Sequence, residues 1–167
     1  LNYFRDNAGG NLTITADPNG VTVSDIWVAA HEFSGGNTTS QPSGTPVTAS
    51  GTSETLATGN MSGLDNDVLL LAGGVVDITG TIVENQAGQG FTLSNELESA
   101  WETSSFVFKI ISGTPGTVTE SWTAGSSAAW ACGIAAFIPS AAAGGPTYTQ
   151  LERSLRGVER GVYAGSA

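Results

Sequence analysis

Short segments of alternating apolar and polar residues, separated by turn-forming residues at intervals of about ten, constrain the fold of this chain more than any other feature. In residues 11–16 (NLTITA), Leu12 and Ile14 fall on one face of a strand and the threonines on the other. The DPNG that follows, at residues 17–20, has the composition of a tight turn. Because the chain also has 23 glycines, which are poor helix formers, we expect an all-β protein.

The segments are numerous enough for about eight antiparallel strands in two packed sheets. Beyond residues 11–16, we expect strands at 24–33, 53–58, 65–76, 90–96, 104–111, 116–123 and 128–138. Gly73 and Gly74, inside an apolar strand, indicate a bulge or a sharp bend. Residues 34–51, rich in Gly, Ser, Thr and Pro, predict a long surface loop, and residues 112–117 predict a hairpin connection. We expect residues 1–140 to form one antiparallel β-sandwich, of jelly-roll or immunoglobulin-like type.

Small and large residues alternate in the last of these strands, at residues 128–138. The alternation puts Trp130 and Ile134 on one face and indicates that the small residues, Ala135 among them, pack closely in the interior. Cys132 lies in the same apolar run and is the chain's one cysteine, so it has no partner for an internal disulfide. We expect it to be a small buried residue of the core.

The charge of the chain is strongly negative, with 15 acidic residues against five basic ones and a net charge of −10. Binding to the phosphates of nucleic acid or to an anionic membrane requires a basic face, so the composition argues against both partners. No run approaches the roughly 18 apolar residues that a membrane-spanning helix needs. We therefore expect neither a nucleic-acid partner nor a membrane partner.

Candidate catalytic and metal-binding residues are few. His31 and Glu32 are adjacent in a predicted strand, so they point to opposite faces and do not act together. One histidine and one cysteine are too few for a usual zinc site. The carboxylates in residues 6–11 and 64–68 are expected to cap turns, with calcium as a weaker alternative. We expect no cofactor and no enzymatic activity.

Glutamates and tryptophans offer two further candidate sites. Glu96, Glu98 and Glu102 are close in sequence and predict a solvated acidic loop rather than a pair of catalytic carboxylates across a cleft. The four tryptophans could stack on sugar rings. Three of them, Trp27, Trp122 and Trp130, lie in predicted strands and are expected in the core. Trp101 lies between acidic residues and is the one that we expect to be exposed.

The C-terminal segment, residues 141–167, differs from the rest of the chain. Residues 141–145 are a small-residue spacer, and Thr149 with Glu152 has the spacing of a helix capping box. The apolar residues that follow recur at spacings of four, three and four, as on one face of a helix, and three arginines accompany them. We expect this segment to dock onto a neighbouring chain through Leu151, Arg153, Leu155, Arg156, Val158, Arg160 and Val162. A helix folded back on its own domain and a frayed tail remain alternatives.

The order of the segments over residues 9–139 resembles the β-sandwich domains of tailed-phage virion proteins. The residues that carry the resemblance are GGNLTITADPNGVTVSDIWVAAHEFSGG, NDVLLLAGGVV, GFTLSNE, SSFVFKII and SWTAGSSAAWACGIAAFIP, in that order. The resemblance implies a non-enzymatic structural protein of the virion, a homo-oligomer in contact with neighbouring virion proteins. Capsid decoration or fibre is the first expectation and a tail protein the second. An extracellular carbohydrate-binding module or adhesin, secreted or at the cell surface, and a strand-donating filament subunit remain alternatives.

Overall fold

The computed structural model describes residues 32–37, 42–85, 90–98, 101–140 and 149–151. These residues form strands and connecting loops, and no helix among them is long and apolar enough to cross a membrane. The strands are β1 (Glu32–Ser34), β2 (Ser43–Ala57), β3 (Leu69–Val76), β4 (Ile82–Glu84), β5 (Thr92–Glu98), β6 (Thr103–Ile110), β7 (Ser121–Phe137) and β8 (Thr149–Leu151). The all-β prediction is therefore confirmed for the described part of the chain.

Six strands form one antiparallel sheet with the order β2-β7-β3-β6-β5, and β4 also pairs with β7. β7 is the central element. It pairs with β2 on one side, while on the other side its first half pairs with β4 and its second half with β3. β1 and β8 form a separate antiparallel pair, and the bridge between Gly36 and Pro139 joins this pair to the end of β7.

The core lies on the face that carries the even-numbered side chains of β3 and β7. Its buried residues include Leu56, Leu70, Val76, Val107, Trp122 and Ile134. Leu56 and Trp122 are cross-strand partners on β2 and β7, and both approach Gly74 on β3. The first half of β7 and the end of β2 therefore pack against the inner face of β3.

The long loop predicted over residues 34–51 is wrong for residues 43–51, because Ser43–Ala57 is the 15-residue strand β2. β2 lies at one end of the strand order, and most of its side chains from residue 43 to 53 are at least partly exposed. Such a strand needs few apolar residues, so its Thr- and Ser-rich sequence resembles that of a loop. Pro46 falls at a register shift between Ser43 and Val47, where no regular ladder hydrogen bond is required.

The glycine pair in β3 does not form the predicted bulge, since β3 pairs with β6 and β7 without a register shift. The glycines instead allow close packing on both faces of the strand. A Cβ atom on Gly73 would lie 2.6 Å from Cδ1 of Phe106, and one on Gly74 would lie 3.1 Å from Cε3 of Trp122. The rings of these two aromatic residues fill the space that a side chain would need.

Residues 112–117 do not form the predicted hairpin connection, because β3 lies between β6 and β7 in the sheet. The connection instead crosses to the loop after β2, where Met61 and Val118 exchange backbone hydrogen bonds of 2.8 and 2.9 Å. The strands predicted at 116–123 and 128–138 also join into the single strand β7, which begins at Ser121.

The other predicted strands from residue 53 onward are confirmed in β2, β3, β5, β6 and β7. Trp130 and Ile134 share the core-facing side of β7, and Ala135 is 1% exposed, as the alternation predicts. The predicted strand at residues 11–16, most of the predicted strand at 24–33 and the proposed spacer at 141–145 lie outside the described residues.

Candidate binding groove

A shallow groove of about 640 Å³ lies where β3 ends and β6 begins. We call it the Trp101 groove, and its lining residues are Val75, Asp77, Trp101, Glu102, Ala129, Trp130 and Ala131. The side chain of Trp101 is 68% exposed, which confirms the prediction that this tryptophan is at the surface. The groove therefore presents a large aromatic side chain next to two acidic residues.

Small apolar side chains form the floor of the groove. Val75 pairs with Ala131 in the ladder between β3 and β7, and Ala129 lies two residues earlier on β7. Since Val76 and Trp130 face the core side, these three side chains point to the opposite face of the sheet. The floor is therefore apolar, and because its side chains are short, a bulky group has room to pack on it.

Buried Thr103, the first residue of β6, makes hydrogen bonds to the turn that follows β3. Its hydroxyl lies 2.6 Å from the carbonyl oxygen of Gly80 and 3.0 Å from that of Ile78, which fixes the turn after β3 against the start of β6. The N–H of Asp77 also donates a 2.9 Å hydrogen bond to the carbonyl of Ala129. These bonds place Asp77 beside the segment that carries Trp101.

The other two described tryptophans pack in or against the core. Trp122 is fully buried, and its Nε1–H donates to Ser105 Oγ at 3.2 Å. Trp130 packs against the core, and its Nε1–H donates to Ser53 Oγ at 2.8 Å. The core predictions for these two residues are confirmed, while Trp27 lies outside the described residues. Among the described tryptophans, Trp101 is thus the one that is mostly exposed to solvent.

The predicted acidic loop is only partly correct. Glu96 and Glu98 belong to β5, where both are exposed to solvent, and Glu102 is half-buried at the edge of the groove. Glu98 pairs with Thr103 across β5 and β6, so its carboxylate adds to the negative charge near the start of β6. Glu96 and Glu98 are solvated as predicted, but on a strand rather than in a loop, whereas Glu102 lies just before β6.

Glu120 is a buried acidic residue that the sequence did not reveal. It is 0% exposed, its Oε1 accepts a 2.9 Å hydrogen bond from the N–H of Ser121, and its Oε2 has no hydrogen-bond partner among the described residues. Burial, and next the neighbouring carboxyl of Glu84, raise the pKa of Glu120 to about 8. The carboxyl of Glu120 is therefore protonated at neutral pH.

The carboxylates at residues 64–68, predicted to cap turns, connect segments that are distant in sequence. Asp65 Oδ2 accepts a 3.0 Å hydrogen bond from Ser43 Oγ, and Asp67 Oδ1 accepts a 2.7 Å bond from the N–H of Gly113. The described residues contain no group of three or more His, Cys, Asp or Glu side chains placed to hold a metal ion. Residues 6–11 and His31 lie outside the described part.

Cys132 is a buried free thiol in β7, as predicted. Burial raises the pKa of its thiol to about 11, although a hydrogen bond with the backbone of Ala49 acts in the opposite direction. A thiol with so high a pKa carries little thiolate at neutral pH and is a poor nucleophile.

The C-terminal segment begins differently from the prediction. Thr149–Leu151 is the strand β8, which pairs with β1 through Leu151 and Glu32, so the predicted helix start at Thr149 is wrong. Backbone pairing with β1 decides the conformation here, over the local capping pattern. The remaining predicted docking residues, Arg153, Leu155, Arg156, Val158, Arg160 and Val162, lie outside the described residues.

In comparisons with known proteins, no family model, no curated protein and no solved structure matches this chain. An exposed indole above an apolar floor, with carboxylates at its side, is chemically suited to hold a cationic group or a sugar ring rather than an anion.

Proposed function

We propose that this protein is a non-enzymatic structural subunit of a tailed-phage particle, a capsid decoration or fibre protein first and a tail component second. It works by assembling with copies of itself and with neighbouring virion proteins, and the C-terminal segment is its anchor. Its location is then the virion. The proposal includes a two-sheet sandwich, and the packing of Leu56 and Trp122 against Gly74 supports this arrangement.

The observation that carries the proposal is the Trp101 groove together with the distribution of charge. Trp101 is 68% exposed, and tryptophan is among the residues most often found at the centre of protein interfaces. The chain also places three of its five basic residues in the last 15 positions, on a molecule whose net charge is −10. A binding surface and an oppositely charged segment are what a self-assembling subunit needs.

Truncation tests the proposal. A chain that ends at Leu151 keeps β8 and its pairing with β1, whereas a cut before Pro146 would also remove β8. We expect the truncated chain to unfold cooperatively like the full chain but to lose its association, as measured by light scattering coupled to size-exclusion chromatography. Unchanged association after truncation would show that the C-terminal segment is not the anchor.

Carbohydrate binding is the second candidate, and the exposed ring of Trp101 is the observation that favours it. An indole face stacks on the apolar face of a sugar, and Asp77 and Glu102 would accept hydrogen bonds from hydroxyl groups. The test is binding to an oligosaccharide array, with Trp101→Ala compared with Leu93→Ala as a control at another exposed apolar residue. Glycan binding that is lost only in Trp101→Ala would favour this candidate.

A further inference from the structure

We infer that the Trp101 groove is the docking site for the C-terminal segment, residues 152–167, of a second copy of this chain. The inference rests on the proposed function and names the surface that the anchor contacts. In this arrangement an arginine guanidinium of the incoming segment stacks on the ring of Trp101 and pairs with Asp77 and Glu102. The apolar side chains of the same segment cover the floor of the groove.

Charge complementarity is the first argument. Apart from Arg5, the basic residues of the chain are Lys109 and the three arginines of the C-terminal segment, Arg153, Arg156 and Arg160. Lys109 is already engaged, with its Nζ 5.5 Å from the centroid of the Phe91 ring. The three arginines lie close together in sequence, and their positive charge is opposite to that of the two carboxylates in the groove.

The chemistry of the groove fits arginine in particular. A guanidinium is planar and weakly hydrated, so it stacks on an indole face and still donates paired hydrogen bonds to a carboxylate. Trp101 supplies the exposed ring, and Asp77 and Glu102 supply the carboxylates in the same groove. A lysine would pair as a point charge without the stacking contact.

The floor of the groove fits the apolar residues between the arginines. Val75, Ala129 and Ala131 are short side chains on one face of β3 and β7, and they form an apolar surface without filling the space above it. Leu155 and Val158 lie between Arg153 and Arg160 in sequence. A segment that places an arginine on Trp101 therefore brings a branched apolar side chain towards this floor.

The direction of the strands favours a second copy over the same molecule. β1 runs antiparallel to the end of β7 at the bridge between Gly36 and Pro139, and β8 runs antiparallel to β1. β8 therefore runs in the same direction as β7. The groove lies at residues 129–131, before the end of β7 at Phe137. At Leu151 the chain is thus directed away from its own groove.

A contact between the segment of one copy and the groove of the next is heterologous, because two different surfaces meet. Each copy then has one donor segment and one acceptor groove, so copies join into a ring or a filament. This geometry allows a complementation experiment on the full-length chain. The groove variant is Trp101→Ala, and the tail variant carries Arg153→Glu, Arg156→Glu and Arg160→Glu.

The experiment measures association by sedimentation velocity, with thermal unfolding as a check on the fold and Leu93→Ala as a matched control. We expect the wild type and the control to associate equally. Each variant alone should associate at least about tenfold more weakly, since truncation of a tryptophan at the centre of an interface, or reversal of the charges that face it, removes a central contact. An equimolar mixture of the two variants should form a dimer that grows no further, because one copy supplies an intact segment and the other an intact groove.

The outcomes separate the inference from the proposed function. If the wild type associates but the variants associate equally well, or their mixture forms no dimer, assembly uses another surface and the inference is wrong. Loss of oligosaccharide binding in Trp101→Ala, with association unchanged, would assign the groove to a sugar instead and would also overturn it. A wild type that is monomeric at every concentration would contradict the proposed function itself.

Discussion

Trp122 covers Gly74, so that a Cβ atom on Gly74 would lie 3.1 Å from Cε3 of the indole and 3.3 Å from Cδ2 of Leu56. The indole has little freedom to move, because it is fully buried and its Nε1–H donates to Ser105 Oγ. This contact joins the first half of β7 to the inner face of β3 and fixes the packing of the core. It also identifies a position where a single methyl group has a measurable effect.

We predict that Gly74→Ala lowers the free energy of unfolding by about 1–3 kcal/mol, because the added methyl group overpacks a closed site. Gly125→Ala is the matched control, since Gly125 also lies in a strand and a Cβ there meets nothing within 4 Å. Urea denaturation measures both. Equal stability of the two variants would show that the contact between β3 and Trp122 is looser than described.

Glu120 predicts a pH dependence of stability. Its pKa is raised from about 4.5 to about 8 in the folded state, mainly by burial, so the folded protein holds a proton that the unfolded chain releases between these values. The contribution of Glu120 to the free energy of unfolding is therefore fully present below about pH 4.5 and is lost as the pH rises towards about 8. Glu84 reinforces the shift, and Lys109 opposes it.

Glu120→Gln tests this dependence. We expect the variant to be more stable than the wild type at pH 8, and the difference to shrink as the pH falls, when thermal unfolding is followed at several pH values. Glu54→Gln, at an exposed position on β2, is the control and should follow the wild type. A constant difference between Glu120→Gln and the wild type across this range would mean that Glu120 titrates normally.

Ala135 is buried on the face of β7 opposite the core cluster, and this position predicts a further loss of stability. Ala135 is 1% exposed, and we expect Ala135→Leu to lower the free energy of unfolding by about 1–3 kcal/mol. Ala57→Leu places the same side chain at an exposed site on β2 and should change it by less than about 0.5 kcal/mol. Chemical denaturation of the two variants would reveal an error in the placement of β7 if their midpoints coincided.

The Cys132 thiol should be unreactive in the native protein. Burial and a pKa of about 11 keep it protonated, so we expect its reaction with a colorimetric disulfide reagent at neutral pH to be limited by unfolding. In urea the same thiol should react at once. Rapid stoichiometric reaction of the folded protein would contradict the buried position of this residue.

The sequence predicted strands well where burial produces a continuous apolar run, as in β3, or an alternation of small and large residues, as in the second half of β7. It missed most of β2, because an edge strand with exposed side chains has the composition of a loop. It also misplaced the connection at residues 112–117, since local turn residues do not show that β3 lies between β6 and β7. Strand order depends on contacts between distant residues, which one sequence does not display.

The groove was predictable only in part. Trp101 stood out because acidic residues precede and follow it, and it is exposed as expected. Its neighbours Asp77, directly after β3, and Ala129, on β7, are distant from it in sequence, and the pairing of β3 with β7 brings them together. Glu120 likewise appears in sequence as one more acidic residue, and its burial results from the packing around it.

Self-association through the C-terminal segment is the central claim, and sedimentation equilibrium of the full chain at increasing salt concentration tests it most directly. The monomer mass is 16.9 kDa. We predict a larger mass at low salt that falls towards the monomer value as salt screens the contact between the arginines and the acidic groove. A mass of 16.9 kDa at every protein and salt concentration would contradict the claim.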